Sequence, residues 1–409
     1  MTNSPNSKTD FLPKEWESKL LSDLFNFSGG IPASRSQLSN QGYCYLHYGD
    51  IHTTDKIFID IKESFQDIPK LNINLNNIST NSLLKDGDIV FVDASEDLEG
   101  ITKHLVVINE NDLPFISGLH TIVAKNKTNK LKKNFLRFCF QTEFIRRQFL
   151  FYAAGAKVSG ISRSNIRKIT LPFPTSIIEQ ENIASVLTDV ELLLENLMQL
   201  IIKKKNIKTA TMHELLTANT RIKGFSEKWV ELPLEAIVKP RKGQLITSKT
   251  IINGNIPVIA GGKQPAYFHS SANRFGKTIT ISASGASAGY ISIHRKPIYA
   301  SDCSTISESD KYNIEFLFYA LLLRQQEIYS SQTGGAQPHV QPKELAPILI
   351  KIPKSLNEQN SIANILSDMD LEISKLETQL TKTKKLKVAI MQELLSGKTR
   401  LVETKAINA

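Results

Sequence analysis

Apolar residues recur at Ile183, Leu187, Val190, Leu194, Leu197 and Ile201, and again at Ile362, Leu366, Met369, Ile373, Leu376 and Leu380. Alternating steps of four and three are a heptad pattern. Each stretch predicts a long amphipathic helix of about 40 residues, or ~60 Å at 1.5 Å per residue. The next seam positions, Lys204 and Thr383, are polar, and apolar residues resume at Ile207 and Leu386. That spacing predicts a three-residue stammer in both helices. Elsewhere the apolar runs are short. Residues 88–93, 104–108, 121–125, 278–283 and 290–294 read as strands. Asp86-Gly87, Asn253-Gly254 and Gly261-Gly262 mark turns. One further helix is predicted before each heptad, over 134–150 and 313–330. A loop of small residues, 282–289, would let backbone approach a ligand closely.

The two heptad stretches are copies of one segment. A shift of 179 positions lays residues 179–221 on 358–400 without a gap, and 18 of those 43 positions are identical. The same shift matches Gly155 with Gly334, Ile161 with Val340 and Pro174 with Pro353. Further upstream the copies diverge by insertions, although Lys14-Glu15-Trp16 still resembles Glu227-Lys228-Trp229. Each half is a variable front followed by a near-constant helical tail. One seam needs a partner, and the other copy supplies it. The expected fold is therefore α+β: two mixed α/β globular domains separated by two long helices. The helices form an antiparallel coiled coil about a pseudo-twofold internal repeat. The expected divisions are a flexible terminus (1–12), a first domain (13–174), a central helix (175–222), a second domain (223–353), a C-terminal helix (354–401) and a tail (402–409).

Length adds little beyond this, since 409 residues suit two or three domains. Charge adds more. The chain has a net charge of +10. Residues 124–168 contain twelve basic residues and one acid, and residues 236–301 contain nine basic residues and no acid. Local fields of one sign favour a polyanion. Three widely spaced cysteines, Cys44, Cys139 and Cys303, suit neither a disulfide framework nor a thiolate zinc site, and fit a reducing cytoplasm. The longest apolar runs are too short to span a bilayer, and the polar first residues carry no expectation of a secretory signal.

The motifs of catalysis are missing. Neither Gly-Lys-Thr (276–278, 397–399) has the glycine that a phosphate loop needs five residues earlier. No two prolines are adjacent, so the amino-methyltransferase signature is missing, and there is neither HExxH nor GxSxG. His47 and His52, five apart on a loop or strand, read as structural. No catalytic or metal-ligating residues are assigned. The candidate chemistry is duplex binding, in which Arg, Lys, Asn and Gln meet base edges while phosphate contacts hold register. In the first front the candidates are Lys157, Ser159, Arg163, Ser164, Asn165 and Arg167. In the second they are Gln337, His339, Gln341 and Lys343, with a further set at Lys263, Gln264, Arg274, Lys277, Arg295 and Lys296.

The tails Glu179–Asp189 and Glu358–Asp368 share Glu-Gln-x-x-Ile-Ala-x-(Val/Ile)-Leu-(Thr/Ser)-Asp, and each closes with Met-x-Glu-Leu-Leu at 212–216 and 391–395. With the Trp16 and Trp229 starts and the Gly155 and Gly334 loops, the chain resembles the specificity subunits of type I restriction–modification enzymes. The resemblance implies two target recognition domains, each reading one half of a bipartite, asymmetric DNA site. It implies helices that set the spacer and dock two modification (adenine methyltransferase) subunits and, through them, restriction subunits. S-adenosylmethionine, ATP and Mg would then belong to the partners, and this chain would bind no cofactor and catalyse nothing. A scaffold using the rod for assembly alone, or an orphan or decoy specificity subunit, are the rival readings.

Overall fold

The computed structural model describes residues 12–95, 100–153 and 159–402. The expected flexible terminus (1–12) and tail (402–409) thus lie almost wholly outside the described residues, as do Lys157 and Gly155. The chain divides into two units, 1–196 with 381–409, and 197–380. The two long helices are Ile177–Leu216 and Leu356–Leu395, 40 residues each, and each unit takes part of both.

The repeated Glu-Gln pair opens each helix for a physical reason. Glu179, Gln180, Glu358 and Gln359 are all buried. A buried carboxylate must be paired. In the first unit Arg400 clasps Glu179 at 2.6 and 2.8 Å. In the second Arg221 clasps Glu358 at 2.8 and 3.0 Å. The glutamines close the strand that precedes each helix: the Gln180 amide donates to the Pro174 carbonyl at 2.9 Å, and that of Gln359 to Pro353 at 2.9 Å. Ile183, Ala184 and Leu187, like Ile362, Ala363 and Leu366, then lie in the core of their own unit.

The expected stammer is absent. Both helices run unbroken through 204 and 383 with the heptad in phase. Thr383 is buried, whereas Ile207 and Leu386 are exposed. Lys208 and Lys387 take the positions that an apolar count would have given to their neighbours. Lysine is tolerated there because its stem packs while its ammonium reaches a carboxylate. In the second unit Lys204 meets Glu372 at 2.6 Å, Lys205 meets Glu377 at 2.7 Å and Lys208 meets Asp370 at 2.5 Å. In the first unit Lys387 meets Glu191 at 2.7 Å.

In the first unit, Trp16–Leu20 pairs antiparallel with Thr170–Pro174, tying the start of the front to its end. Between them lies a five-stranded sheet in the order Phe25–Gly29, Thr121–Asn126, Ile89–Val92, His104–Ile108, Phe58–Asp60. Every residue of Ile89–Val92 is buried, as a central strand covered on both faces requires. A four-stranded sheet, Phe115–Ser117, Tyr43–Leu46, Lys70–Leu71, Leu38–Ser39, completes the front. In the second unit, Val230–Pro233 pairs with Leu349–Ile352. Its main sheet runs Arg241–Lys242, Cys303–Ser307, Thr278–Ser282, Ile291–His294, beside a three-stranded sheet of Tyr267–His269, Ile256–Ile259 and Tyr299–Ala300.

Each single helix expected before a tail is instead two. Lys133–Cys139 is followed by Glu143–Tyr152, because the Thr142 side chain accepts from the Ile145 amide and starts a new helix. Ile314–Leu323 gives way to Gln325–Ser330 at Arg324, where the backbone leaves the helical region. An uninterrupted apolar run concealed both breaks.

Removing one member of a buried ion pair leaves a charge uncompensated. Arg221→Ala, which strands the buried Glu358 carboxylate, is expected to destabilise the second unit by about 3–5 kcal/mol, and urea unfolding would measure it.

Candidate nucleic-acid interface

In the first unit the segment after strand Ser159–Gly160 folds into a short helix, Arg163–Ile166, capped by the Ser162 hydroxyl, which accepts from the Asn165 amide at 3.2 Å. Ile161 and Ile166 anchor it in the core and leave Arg163, Ser164 and Arg167 exposed. Asn165 is spent locally. Its side-chain amide donates to the Tyr152 carbonyl at 3.1 Å, and its oxygen accepts from Lys168 at 3.0 Å. The Ser164 hydroxyl lies 2.7 Å from that of Ser162. Ser159 is placed by backbone pairing with Ser95.

That pairing leads to a cluster that sequence reasoning passed over. His47 lies in the loop just before the helix Tyr48–Thr53, whereas His52 lies within that helix rather than on a loop or strand. His47 caps the helix Tyr48–Thr53, its Nδ1 accepting from the Gly49 amide at 3.0 Å. Burial and the nearby Arg35 push its pKa down. The Tyr48 ring stacks obliquely on His47 at 4.5 Å and meets His52 and His120 edge-on at 6.0 and 5.4 Å. His120 Nδ1 lies 3.3 Å from an Asp93 carboxylate oxygen. Asp93 also accepts, through its backbone carbonyl, from the Ile161 amide at 2.8 Å, so this cluster adjoins the Arg163 helix. The spacing of His47, Tyr48 and His52 was the available signal. His120 and Asp93 have none in one dimension.

In the second unit three loops meet. The Ser282 hydroxyl donates to the Gly261 carbonyl at 2.8 Å, Ser284 bridges His339, and the Gly285 amide donates to the Pro338 carbonyl at 3.0 Å. This gathers Lys263, Gln264, Gln337 and His339 at one patch, with Lys263 5.5 Å from the Tyr290 ring centroid. Lys263, Gln264 and Gln337 are exposed, and His339 is half-buried. In the 282–289 loop Gly289 serves packing, while a Cβ on Gly285 would meet open space. A Cβ on Gly289, which sits at φ +85°, would meet Ile328, Tyr329 and Val340 at 3.1–3.4 Å.

The remaining candidates are not in that patch. Arg274 donates to Thr305 Oγ1, the Asn273 carbonyl and the Lys242 carbonyl at 3.0, 2.8 and 3.0 Å, holding strands together. Lys277 and Arg295 both engage Glu315, at 3.1 Å and at 3.0 and 2.9 Å. The Gln341 backbone amide donates to the Glu344 carboxylate at 2.8 Å at the start of the helix Pro342–Leu345. Lys296 and Lys343 are exposed, the latter 3.3 Å from Glu344. Among the described residues no group of three or more His, Cys, Asp or Glu side chains is placed to hold a metal ion. No helix among them is long and apolar enough to cross a membrane.

Two unlike α/β fronts, each set against parts of two long helices and each keeping a few uncompensated cations, define a two-domain DNA-recognition architecture. The family model described as type I restriction modification DNA specificity domain matches residues 13–205 and again 226–386, and the chain belongs to that family. A putative type I specificity subunit of Mycoplasma genitalium is 22% identical over 264 residues, covering 62% of this chain and 68% of the relative. A putative type I restriction enzyme specificity subunit of Methanocaldococcus jannaschii is 25% identical, covering 95% of each chain. The crystal structure of the S subunit of a type I restriction–modification system from M. genitalium shares the fold, with a TM-score of 0.60 at 17% identity over 96% of this chain and 99% of that one.

Burial raises the pKa of Glu315, but hydrogen bonds from Arg295, Ser367 and Lys277 outweigh it and hold the carboxyl at about 2 against an ordinary 4.5. A depressed acid contributes stability that is fully present above the unfolded value and lost as pH falls through the folded one. Acid unfolding of the second unit is therefore expected to steepen between pH 4.5 and 2. Glu315→Gln would flatten that stretch of the stability profile measured by circular dichroism.

Proposed function

We propose that each front reads one half of a bipartite, asymmetric duplex site, and that the long helices, paired as an antiparallel coiled coil about a pseudo-twofold axis, set the gap. They also dock two modification subunits, through which restriction subunits join. Methyl transfer from S-adenosylmethionine and ATP- and Mg-dependent cleavage take place on those partners, and this chain supplies only recognition. The observation that carries the reading is the family match found twice along one chain.

Ion pairs support the helix arrangement. A shift of 179 carries Lys208 onto Lys387 and Glu191 onto Asp370, and carries Arg221 onto Arg400 and Glu179 onto Glu358, so each unit repeats the other's pairs. Exposed leucines and isoleucines support two equivalent docking sites. Leu192 and Leu386 in the first unit correspond to Leu371 and Ile207 in the second, and all four are exposed. The unlike fronts support unlike half-sites. Free, buried Cys44, Cys139 and Cys303 suit a cytoplasmic setting. Of the sequence candidates, Arg163, Arg167, Lys263, Gln264, Lys296, Gln337 and His339 remain as the DNA-contacting set, Lys343 being paired with Glu344.

Coexpression with a cognate modification subunit is expected to place N6-methyladenine in a split motif with a fixed gap, and exchanging residues 225–357 for another member's front should change one half of that motif only. Methylation sequencing checks both; a motif altered in both halves would contradict modular reading. Arg163→Ala should weaken duplex binding uniformly and lower the salt slope by about one, as read from anisotropy titrations at several salt concentrations.

A further inference from the structure

We infer that the first unit reads its half-site through Tyr48 and His120, with Asp93 fixing the state of the imidazole, and that the group they select is a base bearing an exocyclic amine. The inference rests on the proposal that this unit reads DNA, and it names residues outside the basic stretch.

The turn carrying His120 is built to hold one geometry. His120 sits at φ +58°, in the left-handed region that a non-glycine residue adopts at a cost. Its carbonyl accepts from the Asp93 amide at 3.1 Å, and the Ser117 and Thr121 hydroxyls close the turn at 2.7 Å. In the neutral imidazole, the contact with the Asp93 carboxylate fixes the proton on Nδ1 and makes Nε2 the acceptor. Tyr48 packs edge-on against the same imidazole. Among the described residues neither His120 Nε2 nor the Tyr48 hydroxyl has a hydrogen-bond partner, and His120 is exposed. A strained residue held rigid, with an acceptor presented to solvent, is what base reading needs and what packing does not. Neighbouring charges agree. Arg35 is paired with Asp50 at 3.1 Å, and Arg163 and Arg167 lie along the adjoining helix to meet phosphates. A metal role has no support, since no cluster among the described residues has ligand geometry.

In the major groove an acceptor distinguishes adenine N6 and cytosine N4, which donate, from thymine O4 and guanine O6, which do not. Nε2 therefore selects an amino base over a keto base at one position on one strand. The Tyr48 ring packs edge-on beside that imidazole and holds it in place; its hydroxyl, which both donates and accepts, adds no amino–keto preference of its own.

The test uses the full chain assembled with its modification subunit, comparing wild type, Tyr48→Phe and His120→Asn. Asparagine tolerates the left-handed backbone, and phenylalanine removes only the hydroxyl. Methylation-motif sequencing is paired with binding to duplexes carrying every single base-pair change in both halves. The expected result is a loss of about tenfold in amino-over-keto preference at one position of one half-site, with the other half and the salt slope unchanged. Wild-type selectivity in both variants, loosening in both halves, or loosening at a position that prefers a keto base would overturn the inference. If His120→Asn lowers the melting temperature, His120→Gly, which accepts the left-handed backbone and removes the imidazole, decides. Failure of the wild-type chain to direct any split motif would instead strike the proposed function.

Discussion

Glu179 and Glu358 sit with essentially no exposure at the starts of the two long helices, and a carboxylate in that position folds only with a cation beside it. Each finds its arginine beyond the end of the other helix: Arg400 for Glu179, Arg221 for Glu358. Each unit is therefore incomplete without a segment contributed from the other repeat. Arg400 also reaches Glu15 at 2.6 Å, which draws the first strand into the same knot. The fronts can diverge in sequence because what joins them to the helices is confined to these few constant residues.

Charge follows the same logic of distant partners. The run of basic residues from 124 to 168 reads as a strong positive face, yet Lys125, Lys130, Lys132 and Lys133 are paired with Asp88, Glu17, Glu181 and Asp86, and Arg146 and Arg147 with Glu143. Arg137 stacks 3.8 Å from the Phe58 ring centroid. In the second front Glu315, outside the acid-free stretch, takes Lys277 and Arg295. What remains for a polyanion is a short set on exposed turns. A few well-placed cations suit sequence-selective reading better than a broad positive field, which binds any duplex.

The division of labour follows from these features. Buried polar networks hold the recognition fronts to the helices, and the residues left free of them lie on loops and short helices, where variation changes specificity without changing the fold.

Sequence by itself determined the long helices, the repeat, five strands of the two main sheets and the family, because heptad spacing, alternation and an ungapped internal match are local or one-dimensional signals. It misjudged the stammer, since it counted Ile207 and Leu386 as seam residues when Lys208 and Lys387 lie there. It merged two helices into one on each front, because hydropathy registers neither the Thr142 cap nor the change of backbone at Arg324. Only the tertiary structure decided which of the candidate cations are free, because the neutralising carboxylates come from far along the chain. It also decided that Tyr48, Asp93 and His120 meet. Those residues lie on separate elements, and a site assembled by sheet pairing and turn geometry leaves no spacing in the sequence to read.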